Sequence, residues 1–157
     1  MPSTLVRNFG IVLGVEPAAW ARVLGANLTG PYLLSRAVAP LMIQQKYGRI
    51  INIISTSVRI PLDNLGVSNT IRAAVASWSK TMSNELAVHG ITVNSLLPGF
   101  ISTSRLDAVA NSFAEKSNIS KTEMEDRMKN SVPAKRFGKP SEIAAVAAFL
   151  ASPAASY

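Results

Sequence analysis

Two short runs of mostly β-branched and aliphatic residues, 50–54 (Ile-Ile-Asn-Ile-Ile) and 91–97 (Ile-Thr-Val-Asn-Ser-Leu-Leu), bracket one long helical pattern. Between them Ile71, Val75, Trp78, Met82 and Leu86 recur at intervals of four, three, four and four residues, the spacing of one helix face. Two strands joined through a helix of this length argue for a parallel pair, since parallel strands need such a crossover. This unit excludes all-α and antiparallel all-β folds. Strands read as near-continuous apolar runs are expected to be buried on both faces.

The flanking segments extend the same alternation. Proline in the first turn marks a helix start at Glu16-Pro17, and Leu33, Leu34, Ala37, Val38 and Leu41 carry helical spacing on to about residue 45. Gly30-Pro31 interrupts it, and proline's missing donor predicts a kink there. Residues 46–49 read as a turn. The long helix is predicted over about 67–88, ending at His89-Gly90 with glycine as its cap and His89 as a cation at the helix end. Pro98-Gly99 stops the second strand. Residues 102–139 are polar and mixed, with one short helix opened by Ser120-Lys121-Thr122-Glu123, a capping box. Pro140-Ser141-Glu142 opens a last, alanine-rich helix to about residue 151.

The order is helix, strand, helix, strand, short helices, helix, which predicts an α/β fold built on a parallel sheet. There is no repeat and no linker, so the 157 residues read as one domain or part of one. Two strands alone make a poor platform for such long helices. More strands are therefore expected from outside these residues, or a second chain from across an interface.

Composition narrows the chemistry. No cysteine and a single histidine leave no thiolate nucleophile, no disulfide and little material for a metal site or a Ser-His-Asp triad. This fits a cytoplasmic protein. No apolar stretch approaches the roughly 18–20 residues of a membrane helix, and the first 15 residues do not read as a signal peptide. The formal charge of +7 invites nucleic acid as a partner. The cations are scattered, however, apart from Arg127, Lys129, Lys135, Arg136 and Lys139, and no aromatics are interleaved with that stretch. A solvated face is the simpler reading, and neither nucleic acid nor membrane is an expected partner.

A set of short motifs carries more than any of these features. Asn27-Leu28-Thr29-Gly30, Gly48-Arg49-Ile50-Ile51-Asn52-Ile53-Ile54-Ser55, Arg72-Ala73-Ala74-Val75, His89-Gly90-Ile91-Thr92-Val93-Asn94, Pro98-Gly99-Phe100-Ile101-Ser102-Thr103 and Arg136-Phe137-Gly138-Lys139-Pro140-Ser141-Glu142-Ile143-Ala144 follow one another. In order and spacing they resemble the short-chain dehydrogenases/reductases, and within these the 3-oxoacyl-(acyl carrier protein) reductase-like branch. The resemblance covers about residues 16–157. It implies a Rossmann-type doubly wound parallel sheet, with NADP or NAD as cofactor and hydride transfer to or from a small carbonyl or alcohol substrate. The resemblance also implies an acyl carrier protein as a partner and homo-oligomers formed through the two long helices.

Carried over position by position, Asn27 and Ser55 match the family's assisting asparagine and serine. Pro98, Gly99, Ile101 and Thr103 match the loop that meets the nicotinamide end. The sequence departs from the family where tyrosine and lysine are expected: thirteen residues after Ser55 stands Ser68, and four further on Arg72. These two share a helix face, so Ser68 and Arg72 are expected at the catalytic and cofactor site, Arg72 bonding ribose hydroxyls or stabilising an alkoxide. A serine hydroxyl is far less acidic than a phenol, whose pKa is near 10. Proton delivery is therefore expected through a water held by Asn27, Ser55 and Ser68.

The glycine-rich turn that receives a pyrophosphate is not found in the sequence; the spacing of Gly10 and Gly14 does not match it. The chain is thus expected to be the C-terminal part of a single Rossmann-type domain, lacking the first βαβ units and the last strand, with 102–139 as the substrate lid. A non-catalytic binding or partner-subunit protein of the same fold is the alternative.

Overall fold

The computed structural model describes residues 12–157. At its centre β1 (Gly48–Ile53) and β2 (Ile91–Leu96) pair in parallel, with Gly48 opposite Ile91 and Ile53 opposite Leu96. The connection between them is α3 (Gly66–Leu86), extended by a single 3₁₀ turn to His89. Gly90 ends it in the left-handed region, at φ 73°, and a Cβ there would lie 2.5 Å from the Lys46 carbonyl oxygen. Only glycine fits, because both its φ and the neighbouring backbone exclude a side chain.

α1 (Pro17–Leu24) and α2 (Gly30–Gln45) are two parts of one helical run. They are joined through Gly25–Thr29, a π-helical turn in which the Gly30 amide reaches back to the Gly25 carbonyl. The expected kink is therefore a widened turn. Pro31 has no N–H to give Asn27 and its ring would press on that carbonyl, and the wider turn relieves both.

The first core cluster is the seam between α1 and α3, where Val23, Val67 and Ile71 are buried under Trp20, Leu24 and Leu28. The buried face of α3 continues through Val75, Ser79 and Met82. Ser79, and not the predicted Trp78, is buried. Its hydroxyl donates to the Val75 carbonyl (2.7 Å) and accepts from the Asn52 amide on β1 (2.8 Å), so this small polar residue is satisfied where the helix meets the sheet.

The 102–139 region holds two helices where one was expected. α4 (Ser104–Ser117) is capped by Thr103, and α5 (Lys121–Ser131) by Ser120, whose hydroxyl accepts from the Glu123 amide. Leu106, Ala110 and Ala114 meet Met124 and Met128 in a second core cluster, edged by Phe100 and Phe137 in a T-shaped pair 6.3 Å apart. α6 (Pro140–Ala151) then packs on β1.

Two expectations need correcting. The turn before β1 is only Lys46-Tyr47, since Gly48 and Arg49 already pair with β2. Nor is β1 buried on both faces: most of it is half-buried and Ile53 is 60% exposed. Among the described residues β1 has one strand neighbour, and α2 and α6 contain no buried residue. No helix among them is long and apolar enough to cross a membrane. Gly14 lies in a short 3₁₀ turn, and Gly10 falls outside the described residues.

Candidate active site

Parallel strands deliver their carboxyl ends to the same edge of a sheet, and loops leaving that edge enclose a crevice. Here the pairing runs past the strands themselves. The Ile54 amide donates to the Leu96 carbonyl (2.8 Å) and the Thr56 amide to the Pro98 carbonyl (3.1 Å). Ser55 and Pro98 therefore leave the sheet side by side. Ser55 is extended, and its Oγ accepts from the Ser57 amide at 3.1 Å, capping the turn Thr56–Val58.

One helical turn apart near the start of α3, Ser68 and Arg72 face these strand ends. Arg72 Nη1 donates to the Ile54 carbonyl (2.8 Å) and more weakly to that of Ile53 (3.4 Å), while Nε reaches Ser68 Oγ at 3.3 Å. The guanidinium thus covers carbonyls at the end of β1. Burial first, and the nearby Arg105 cation second, hold its pKa below the ordinary arginine value. Burial lowers that of Arg105 as well.

The third wall is the loop after β2. Thr103 caps α4 by accepting from the Leu106 amide (3.3 Å), and its hydroxyl donates to the Ile101 carbonyl (3.2 Å). The loop is tied to the segment before α6, with Ser102 N to Gly138 O at 2.8 Å and Gly138 N to Phe100 O at 2.9 Å. Glu142 locks that segment: its carboxylate takes both Nη atoms of Arg136 (2.9 and 2.6 Å) and the Lys139 amide (2.6 Å). These partners, the Arg136 guanidinium foremost, hold its pKa down to about 2.

Together the walls enclose a cavity of about 400 Å³, within the range of small-molecule sites. Of the residues expected from sequence, Ser55, Ser68, Arg72, Pro98, Gly99, Ile101 and Thr103 all line it. Asn27 does not. It sits in the π-helical turn, its amide donating to the Val23 carbonyl (2.9 Å), and lines an adjoining cavity of about 180 Å³. Arg72, Ile53 and Ile54 line both spaces and form the partition. π-Helical turns of this kind often mark functional positions.

Sequence reading missed Thr56 and Ser57, next to Ser55, and the charged lining residue Arg105. With residues 102–139 read as mostly irregular, nothing assigned it a face; a helix begun at Thr103 places it beside Leu106 and Val109, which also line the cavity. None of the three tyrosines, Tyr32, Tyr47 and Tyr157, lines either space. Tyr47 instead donates to the Ala151 carbonyl (3.3 Å) and lies under Arg49. In the basic stretch, Arg127, Lys129 and Arg136 are each ion-paired to a nearby carboxylate, so its field is locally compensated.

A family profile described as Enoyl-(Acyl carrier protein) reductase matches residues 5–157. The chain belongs to the short-chain dehydrogenase/reductase family. It is 42% identical over 122 residues to the NADPH-dependent reductase BacG of Bacillus subtilis, a match covering 78% of the chain and 47% of that protein. It is 40% identical to the 3-oxoacyl-[acyl-carrier-protein] reductase of Synechocystis sp. over 161 residues, covering 98% of the chain and 59% of that protein. Among solved structures of the family, the actinorhodin polyketide ketoreductase crystallised with NADPH superposes with a TM-score of 0.89 at 30% identity, covering 95% of this chain and 57% of that one. The fold is thus the Rossmann-type α/β fold expected. The chain spans about half to three-fifths of the length of these relatives.

Proposed function

We propose that this chain carries the catalytic and substrate-binding portion of an NAD(P)-dependent oxidoreductase that interconverts a carbonyl and an alcohol. The observation that supports this most is the convergence of Ser55, Ser68, Arg72 and the Pro98–Thr103 loop on one cavity at the carboxyl ends of two parallel strands. The donor set fits the nicotinamide end of a dinucleotide. A fixed cation, two hydroxyls and an apolar loop surround a space in which Gly99 has nothing within 4 Å of where a Cβ would stand.

When bound, the reduced nicotinamide, of NADPH or NADH, supplies the hydride that the carbonyl carbon accepts. The chain's own residues act on the oxygen. Ser55 Oγ already accepts from the Ser57 amide and Ser68 Oγ from Arg72 Nε, so each hydroxyl has its proton left to donate. Two O–H donors and the Arg72 cation then stabilise the charge that grows on the oxygen as the carbon is reduced. With no tyrosine in the cavity, the proton reaches the oxygen from a water ordered by Ser55 and Ser68. Asn27, behind the Arg72 partition, extends that relay toward the neighbouring space. α4 and α5 form the lid over the substrate.

On the same reading the substrate is a small carbonyl compound or an acyl chain delivered by a carrier protein, the setting is the cytoplasm, and α2 and α3 pair with a second copy. The test is turnover. The purified chain should oxidise NADPH or NADH in the presence of an acetoacetyl thioester, and Ser55→Ala should lower kcat by about 10²-fold. Dinucleotide oxidation by wild type that Ser55→Ala leaves unchanged would refute the assigned site.

A further inference from the structure

One wall of the cavity is built without the strand ends. Leu62 and Leu65 line it from the turn that leads into α3, and Ser68 lines it from the first turn of the helix itself. This turn is weakly held by its own backbone. Asn64 is left-handed at φ 61°, and the Leu65 amide reaches the Leu62 carbonyl only at 3.3 Å, long for such a bond. Nor does α3 have a side-chain cap, because leucine stands at the position before its first residue.

Asn69 supplies the missing tie. Its Nδ2 donates to the Leu62 carbonyl at 2.8 Å across seven residues, while its backbone amide donates to the Leu65 carbonyl at 2.8 Å. The side chain thus fastens the turn to the helix one residue beyond Ser68. Its Oδ1 is buried without a hydrogen-bond partner among the described residues. An unanswered buried acceptor works against stability, so stabilising the fold is not what distinguishes an asparagine here. What its donor does is hold the Leu62 carbonyl, and with it the place of the Leu62 and Leu65 side chains relative to the Ser68 hydroxyl. Leu106, Val109 and Ile143 add further apolar lining from α4 and α6. A carbonyl bound through its oxygen at Ser55 and Ser68 therefore meets aliphatic surface with its substituents.

We infer that Asn69 is a positioning residue for substrate selection: by holding the Leu62 carbonyl it sets the apolar wall, Leu62 and Leu65, on which the aliphatic chain of the carbonyl substrate packs. The inference rests on the oxidoreductase reading for the carbonyl, but a chain-length preference is measurable as binding, without turnover.

The experiment is a nuclear magnetic resonance titration of the full 157-residue chain with 2-butanone, 2-pentanone and 2-hexanone, followed at the amides of Ser55, Ser68 and Gly99. Wild type should tighten by about fourfold for each added methylene. Asn69→Leu, which keeps the size and removes the donor, should flatten the series to less than about twofold per methylene. Thr70→Ala removes a hydrogen bond of the same helical turn, from the Thr70 hydroxyl to the Gly66 carbonyl, and should keep the wild-type steps. Leu62→Ala, in the half-buried turn, should flatten the series as well, and decides the matter if Asn69→Leu does not fold. A wild type indifferent to chain length overturns the inference, as do unchanged steps in folded Asn69→Leu or in Leu62→Ala. Equal flattening in Thr70→Ala also overturns it, because the effect is then one of helix stability alone. NADPH added afterwards separates the two readings. Intact steps with no dinucleotide bound support the wall and count against the reductase, whereas NADPH binding with a flat wild-type series overturns the wall alone.

Discussion

At the scale of single residues, most of those expected at the candidate site line one cavity, because they stand at or near element ends. Ser55 follows a strand, Pro98 and Gly99 follow the next, and Ser68 and Arg72 lie four apart on a helix, so their convergence follows from the parallel pairing. Asn27 was placed less well, since its position depends on a π-helical turn that the local sequence signals only through Gly30-Pro31. Arg105 carried no signal of its own. Glu142 shows how a residue outside the cavity shapes it, by holding Arg136 and the Lys139 amide next to the wall formed by Pro140 and Ile143. Its carboxyl is held near a pKa of 2 in the fold and titrates in the usual glutamate range when unfolded. A depressed carboxyl contributes stability above its unfolded pKa and loses it as pH falls through the folded one. Glu142→Gln should therefore lower Tm at neutral pH, and the difference from wild type should vanish as the pH approaches 2. Because the pair is on the surface and screened by solvent, the effect should be small and shrink with added salt. A Tm difference independent of pH would contradict the assignment.

At the scale of elements, the strand–helix–strand unit was readable because its β-branched runs and its helix stripe repeat at different periods. The phase of α3 was only partly readable. Burial chose Ser79 over Trp78, because a small hydroxyl fits against β1 and answers Asn52, whereas an indole does not. α4 was missed although Leu106, Val109, Ala110, Phe113 and Ala114 repeat at helical spacing behind the Thr103 cap, since its charged outer face masks the pattern in composition. The crossover itself hinges on Gly90, where helix, strand and the Lys46 carbonyl meet. Gly90→Ala must either push that carbonyl away or abandon the left-handed conformation. It should cost more than about 1 kcal/mol, read as a lower urea midpoint with an unchanged slope. An unchanged midpoint would mean that the crossover does not depend on this glycine.

At the scale of the molecule, the described residues hold a two-stranded parallel sheet with its site at one end, and helices α2 and α6 whose apolar residues are largely exposed. Leu33, Leu34 and Leu41 on α2 and Phe149 on α6 are each more than half exposed. The sequence anticipated this mismatch, since two strands cannot cover helices of such length. The described lining of the cavity comes from the end of β1 and the loop that follows it, from α3, from the loop after β2, from α4, and from Pro140 and Ile143 at the start of α6. The central claim is that this cavity receives the nicotinamide end of a dinucleotide, and the most direct test is its footprint. With NADPH added to the isotope-labelled chain, the account predicts cross-saturation from the nicotinamide ring to the Gly99, Ile101 and Thr103 amides, abolished by Gly99→Trp. Saturation confined to other surfaces, or unaffected by that substitution, would contradict it.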